Sequence, residues 1–193
     1  AAHEDSVPAM IQLAMLDARE DNEASLVAHL EQAMAAAPTE LQPRMLLARY
    51  YLGKGKAEQV APLFSSLDAQ RQKSPDVLQI LAMAQLSSKD AGAAQFTLEQ
   101  LLESAPDSAP IRHMMAMAAA GTGDEQRATQ ELQRALALDE NYLPSRIALA
   151  RIALATRSIP EFETQLEKLT ALAPGNPDVL LLQAASEQRA GDM

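Results

Sequence analysis

The sequence has no cysteine and no tryptophan, and aromatic side chains make up only 3% of its 193 residues. Without cysteine there can be no disulfide, thiolate metal ligand or cysteine nucleophile, and both cytoplasm and periplasm remain possible. The chain is nevertheless 48% hydrophobic and rich in alanine. A large apolar content with few rings suits closely packed helices better than a β-sandwich, so we expect an all-α protein with a real core.

Positive charge is also scarce, because 16 lysines and arginines stand against 26 acidic residues and give a net charge of -10. Such a surface repels phosphate backbones, and no dense basic cluster offsets it, so we expect no nucleic-acid partner. Long apolar runs are missing too. The stretch from Ile147 to Ala155 is interrupted by Arg151 and is far shorter than the roughly 20 residues that cross a bilayer. We therefore expect no membrane span in this segment.

What the sequence does contain is a repeat of 34 residues. The spacing is carried without drift by six alanines: Ala14, Ala48, Ala82, Ala116, Ala150 and Ala184. Sixteen residues after the first five come large apolar residues: Leu30, Phe64, Leu98, Leu132 and Leu166. Prolines recur near the start of each unit, at Pro8, Pro43, Pro75, Pro110, Pro144 and Pro177, and between units at Pro38, Pro106 and Pro174. Proline is tolerated in the first turn of a helix, so these positions predict helix starts.

Turn-forming residues such as Asp21-Asn22 and Gly121-Thr122-Gly123 divide each unit into two helices. Together, the alanine column, the large apolar column and the prolines resemble the tetratricopeptide repeat over residues 7–193. The resemblance implies an all-α α-solenoid, a right-handed superhelix of antiparallel helical hairpins. The expected organisation is an N-terminal arm (1–6), five repeats (7–40, 41–74, 75–108, 109–142 and 143–176), and residues 177–193 as the first helix of a sixth repeat or a capping helix.

One column departs from the family pattern. Where the family usually has an aromatic residue four positions before the small one, this chain has Met10, Arg44, Leu78, Arg112, Arg146 and Leu180. Because those rings pack helix against helix, we expect looser junctions in the second, fourth and fifth repeats, unless the aliphatic stems of the arginines cover them.

In this family the first helices line a concave wall that binds ligands. The residues that the resemblance places there are Ile11, Met15, Met45, Arg49, Gln79, Met83, His113, Met117, Ile147, Arg151 and Leu181. The methionines could grip apolar side chains of an extended segment or helix, or they could fill gaps within their own repeats. Arg49 and Arg151 could pair with ligand carboxylates, although isolated arginines are often simply solvated.

No constellation indicates catalysis. His3, His29 and His113 fall in different elements, without the i, i+4 spacing of a zinc site. Gly53-Lys54-Gly55 lacks the glycine spacing of a phosphate loop and is interpreted as a hairpin turn. We therefore expect no enzyme activity, metal or cofactor. A co-chaperone clamp is also disfavoured, because its asparagine position has only methionine and arginine: Met15, Arg49, Met83, Met117 and Arg151.

The amino-acid sequence of residues 46–53, 149–155 and 173–178 is similar to repeat arrays of Gram-negative envelope proteins in exopolysaccharide export and surface-protein sorting. The resemblance implies a periplasmic scaffold that binds a peptide or helical segment of a partner protein in its groove. Alternatives are a client adaptor for secretion, pilus or cytochrome assembly, a substrate-recruiting array excised from a larger enzyme, and a cytoplasmic location. The start at Ala1, without a leader, leads us to expect a segment whose targeting signal has been removed. The apolar side of the last helix, formed by Leu180, Leu181, Leu182 and Ala185, has no following hairpin to cover it and would permit weak end-to-end self-association unless that helix is a polar cap.

Overall fold

A computed structural model describes residues 6–105 and 108–191. Apart from Ser6, the predicted N-terminal arm lies outside the described residues, as do His3 and Pro106. The described residues form eleven α-helices: α1 (Val7–Arg19), α2 (Glu23–Ala36), α3 (Gln42–Gly53), α4 (Ala69–Gln72), α5 (Pro75–Ser87), α6 (Ala91–Ser104), α7 (Ala109–Gly121), α8 (Glu125–Leu138), α9 (Leu143–Ala155), α10 (Ile159–Leu172) and α11 (Pro177–Gly191). They contain no β-strand, so the predicted all-α class is confirmed.

The chain forms two compact units, residues 1–97 and 98–193. Within the first unit α1 packs on α2, and α3 packs on both α2 and α5. Within the second, α7 packs on α8 and α9 on α10, and α11 contacts both α9 and α10. Three-residue connections join the helices of each pair α1–α2, α7–α8 and α9–α10. Neighbouring helices joined by such short links are antiparallel hairpins.

The turns inside the repeats share one backbone conformation. A residue with positive φ recurs every 34 positions: Asp21 (55°), Gly55 (72°), Lys89 (61°), Gly123 (82°) and Arg157 (58°). The residue after each of them donates a backbone hydrogen bond to the carbonyl five positions earlier, for example from Asp124 to Ala119 over 2.9 Å. This is the Schellman ending of a helix, which needs a left-handed residue at that position. The repeat is therefore present in the backbone as well as in the side chains.

Each unit has its own apolar core. In the first unit it includes Ile11, Leu30, Leu47, Phe64 and Val77, and each of these five residues is at most 3% exposed. In the second, Phe162, Leu169 and Val179 are completely buried and pack with residues of α9, and a smaller cluster joins Ala116, Leu132 and Leu149. The alanine column lies in these cores: Ala14, Ala48, Ala82, Ala116 and Ala150 are at most 2% exposed. Side chains this small let the paired helices approach each other closely.

The second repeat corrects one expectation. Its second half is not one continuous helix: two short 3₁₀ helices (Ala57–Gln59 and Ala61–Phe64) lead to the single turn of α4. Pro62 explains the difference, because inside an α-helix it would remove a backbone donor and clash with a carbonyl four positions earlier. Val60 and Phe64 are still buried, at 0% and 2% exposure. The segment thus keeps the apolar contacts of a second helix without its regular backbone.

At the arginine column the structure agrees with the alternative expectation, in which the arginine side chains cover the junctions. Arg44 and Arg146 are buried, at 6% and 5% exposure. Each donates one hydrogen bond to a carbonyl six residues earlier and one to a group 19 residues later. Arg112 reaches Glu131, again 19 residues later, over 3.1 Å, and Arg134 also binds that buried carboxylate. Arg44 and Arg146 thus join a preceding loop, their own first helix and the second half of their repeat by charge-assisted bonds.

Candidate interaction surface

Two hollows contain most of the residues predicted for the binding wall. We call the first the unit-1 pocket: it has a volume of about 400 Å³ and is lined by α3 and α5. Met45, Arg49 and Leu52 come from α3, and Asp76, Gln79, Ile80 and Met83 come from α5. Met83 is 43% exposed, whereas Met45 is partly buried against the core. The pocket therefore brings together four of the predicted residues: Met45, Arg49, Gln79 and Met83.

The second hollow, the unit-2 pocket, has a volume of about 500 Å³. Its walls include His113, Met117 and Ala120 from α7 and Ile147, Ala148 and Arg151 from α9. Ala116 and Leu132, from the small core cluster, lie at its floor. It also unites four of the predicted residues: His113, Met117, Ile147 and Arg151.

The two pockets are formed by equivalent helices two repeats apart. Where one pocket has an arginine, the other has a methionine. Arg49 on α3 faces the pocket opposite Met83 on α5, whereas Met117 on α7 lies opposite Arg151 on α9. Residues 49 and 117 share one register, and so do 83 and 151, since both pairs are separated by 68 positions. Each pocket thus offers an exposed methionine and an arginine.

The cations differ in their bonding. In the unit-2 pocket, Arg151 forms an exposed ion pair with Asp178 over 2.6 Å. The equivalent pair in the unit-1 pocket is Arg49 and Asp76, again 27 residues apart. Among the described residues, Arg49 makes no hydrogen bond or ion pair that the structure records. The positive charge of Arg49 is therefore available to a ligand, whereas that of Arg151 is neutralised by Asp178.

His113 is held by neighbours within its own unit. Its Nδ1 lies 3.1 Å from the Ser145 hydroxyl, and its ring packs edge-on against Tyr142 with centroids 5.8 Å apart. Burial lowers the pKa of His113 below the ordinary 6.5. Ser145 is completely buried, so this hydroxyl cannot act as an exposed nucleophile. Burial therefore favours the neutral form of this histidine in the pocket wall.

Three predicted wall residues lie elsewhere. Ile11 belongs to the core at 3% exposure, which differs from its predicted place on an open wall. Met15 lines a small separate hollow of about 80 Å³ with Leu26 and Tyr50. Leu181 is 67% exposed on α11. Met15, Met83 and Met117 are 43% to 49% exposed, whereas Met45 packs partly buried against the core.

Sequence reasoning missed a third hollow, between α10 and α11. It has a volume of about 600 Å³ and is rimmed by the carboxylates of Glu163, Glu167 and Glu187. Gln183 donates to the Thr170 hydroxyl across it over 3.1 Å, and Arg189 lies 3.9 Å from Glu163. Thr170, Gln183 and Glu187 stand where the previous repeat has Leu136, Leu149 and Ala153. That contrast between repeats was available in the sequence.

The remaining chemistry is limited. Within residues 6–105 and 108–191, no three His, Asp or Glu side chains are grouped to hold a metal ion. His29, which the sequence placed on a second helix, pairs with Asp17 at 2.7 Å. None of the described helices is long and apolar enough to cross a membrane.

The sequence profile of the tetratricopeptide repeat family matches residues 52–118 and 119–185, which is more than half of the chain. The chain belongs to the tetratricopeptide repeat family. The α-solenoid class predicted from the 34-residue spacing is thereby confirmed, and the repeat is one whose members are generally non-catalytic scaffolds for other proteins. No curated relative matches the sequence.

Solved structures show the same fold at low identity. The thermophilic tetratricopeptide repeat protein TTC0263 of Thermus thermophilus is 20% identical, with a TM-score of 0.72, over 95% of this chain and all of that one. PilW, a type IV pilus biogenesis factor, is 13% identical with a TM-score of 0.78, over 94% of this chain and 84% of that one. MamA of Desulfovibrio magneticus is 15% identical with a TM-score of 0.72, over 94% of this chain and 97% of that one. At such identities the likeness shows the fold alone.

Proposed function

We propose that this tetratricopeptide repeat chain binds a peptide or helical segment of a partner protein through the unit-1 and unit-2 pockets. The observation that carries the proposal is the pair of equivalent pockets, each with an exposed methionine. Methionine is flexible and polarisable, and such side chains accommodate varied apolar surfaces. A hollow between two helices with an exposed methionine suits the apolar face of an extended or helical segment.

We further propose that the partner belongs to bacterial envelope assembly or exopolysaccharide export and that the chain works in the periplasm. The support is the similarity of residues 46–53, 149–155 and 173–178 to repeat arrays of envelope proteins. The similar fold of PilW, a pilus biogenesis factor, favours a client adaptor for pilus assembly as the second candidate. A cytoplasmic location and a recruiting array of a larger enzyme are the remaining alternatives.

The proposal is tested by placing a charge in each pocket. Tagged chains carrying Met83→Glu or Met117→Glu are purified from the native host together with their bound proteins, and these are quantified by mass spectrometry. The matched control is Gln133→Glu, at an exposed position of α8 outside both pockets. Burying a carboxylate against an apolar ligand is costly, so at least about tenfold less of a specific partner is expected with the pocket variants. Equal recovery from all three variants would refute the proposal.

A further inference from the structure

The unit-2 pocket has an apolar interior left open by small side chains. Ala120 and Ala148 stand where the unit-1 pocket has Leu52 and Ile80. Ala116 forms part of its floor. Because alanine is smaller than leucine and isoleucine, these two positions contribute several fewer carbon atoms to the walls of the unit-2 pocket. The space left is a concave apolar cavity of about 500 Å³.

The polar groups around this pocket already have partners within the protein. Arg151 is joined to Asp178 at 2.6 Å, and the Nδ1 atom of His113 lies against the Ser145 hydroxyl. Asn176 accepts hydrogen bonds from the backbone N–H groups of residues 178 and 179 through its side-chain oxygen. Because Arg151 and Asp178 neutralise each other, a charged ligand group entering here would lose hydration without meeting an uncompensated opposite charge. The pocket therefore discriminates against charge.

We infer that the unit-2 pocket is an anchor site for one large uncharged apolar side chain, such as phenylalanine or leucine, of the partner segment. The inference rests on the proposed function and names the chemistry of that site. The unit-1 pocket differs, because its walls are fuller and Arg49 lacks an ion-pair partner among the described residues. The anchor site is in the second unit because the unit-2 pocket has free volume and its arginine is paired with an aspartate. A few side chains buried in desolvated pockets usually supply most of the affinity of an interface.

The test uses small probes of one design. N-acetyl-phenylalaninamide and N-acetyl-leucinamide are compared with N-acetyl-glutamate α-amide, which carries a carboxylate. Each is titrated into the full chain carrying ¹³C-methyl methionine, and methyl NMR spectra are recorded. Met117 reports on the unit-2 pocket and Met83 on the unit-1 pocket. The Met117 signal is identified by its loss in Met117→Leu.

The apolar probes are expected to shift the Met117 methyl signal saturably, with dissociation constants on the order of millimolar, as their size allows. The glutamate probe should bind at least about tenfold more weakly, since it must bury a charge. Ala148→Ile and Ala120→Leu introduce the residues that the unit-1 pocket has at the same register, so the repeat fold tolerates them. Both should weaken binding of the apolar probes at Met117 by about tenfold or more.

The control is Ala137→Leu, at an exposed position of α8 outside the pocket, which should leave probe binding unchanged. Equal shifts by all three probes, or undiminished binding in both filled variants with intact helicity, would overturn the inference. The proposed function fails separately. If the probes fail while Met117→Glu still releases the partner, only the anchor assignment is wrong. If the probes bind as expected while the glutamate variants keep every partner, the proposed function is wrong.

Discussion

Replacing Arg146 should reveal how much the arginine column contributes to stability. Its guanidinium donates to the Gln165 side chain over 2.9 Å and to the carbonyl of Glu140, and the residue is 5% exposed. Hydrogen bonds from a charged group contribute about 1.5–3 kcal/mol each. The desolvation of the cation and its unpartnered Nε atom oppose that gain. Arg146→Ala also opens a cavity, so we expect a net loss of about 2–4 kcal/mol in the free energy of unfolding.

A second variant separates the hydrogen bonds from the volume. Leu78 occupies the equivalent position in the third repeat, where it is 7% exposed. Arg146→Leu therefore refills the site with a side chain that the repeat already accepts, so its cost of about 1–3 kcal/mol reports on the acceptors left without a donor and should be smaller than that of Arg146→Ala. Arg151→Ala is the surface control. It breaks an ion pair whose arginine is 58% exposed, and such pairs contribute at most about 1 kcal/mol.

The assay is urea denaturation followed by circular dichroism at 222 nm, with all variants compared at equal protein concentration. The expected order of stability is wild type, then Arg151→Ala and Arg146→Leu, with Arg146→Ala clearly lowest. If Arg146→Ala unfolds within about 0.5 kcal/mol of the wild type, or no earlier than the surface control, the reasoning about the column is refuted.

Three further predictions follow from the turns, the histidine and the last helix. Gly123→Ala, at a φ of 82° with open space around it, should lower stability by about 1–2 kcal/mol. Gly92→Ala, in helix α6 and also unobstructed, should raise it by up to about 1 kcal/mol; equal effects would contradict the left-handed turn. Because burial lowers the pKa of His113, the unfolded chain binds more protons, so stability should fall as the pH drops below 6.5. His113→Gln should flatten that dependence in thermal melts across pH 5–8, and an unchanged slope would count against it. Leu180 and Leu181 are 50% and 67% exposed, so concentration-dependent self-association is expected in sedimentation and should vanish when both become Glu; a wild type that stays monomeric would remove the idea.

The repeat fold could be predicted from the sequence because its period is carried by side chains with direct structural meaning. Ala82 and Ala150 are completely buried, as small residues between close helices must be. Proline marks helix starts for a steric reason that does not depend on context. The same rule applied to Pro62 would also have predicted the irregular second half of the repeat, which the regular spacing obscured.

Other features depend on geometry that one sequence does not supply. Arg146 looked like the loss of an aromatic contact, and only its contacts with Gln165 and a loop carbonyl show that it closes the junction. Ile11 shares a register with His113, yet one is buried in a core and the other lines a pocket. The ion pair of Arg151 depends on where the next helix begins. Side-chain orientation and partner choice are set by tertiary packing, which periodicity alone does not determine.

The central claim is that the two equivalent pockets bind a partner protein, and site-specific photo-crosslinking tests it most directly. A photoreactive residue replaces Met83 or Met117 in the native host, with Gln133 on the exposed face of α8 as the control position. Adducts are identified by mass spectrometry after irradiation. The account predicts one dominant protein adduct from the pocket positions that is absent from the control. No adduct above the control at either methionine would contradict it.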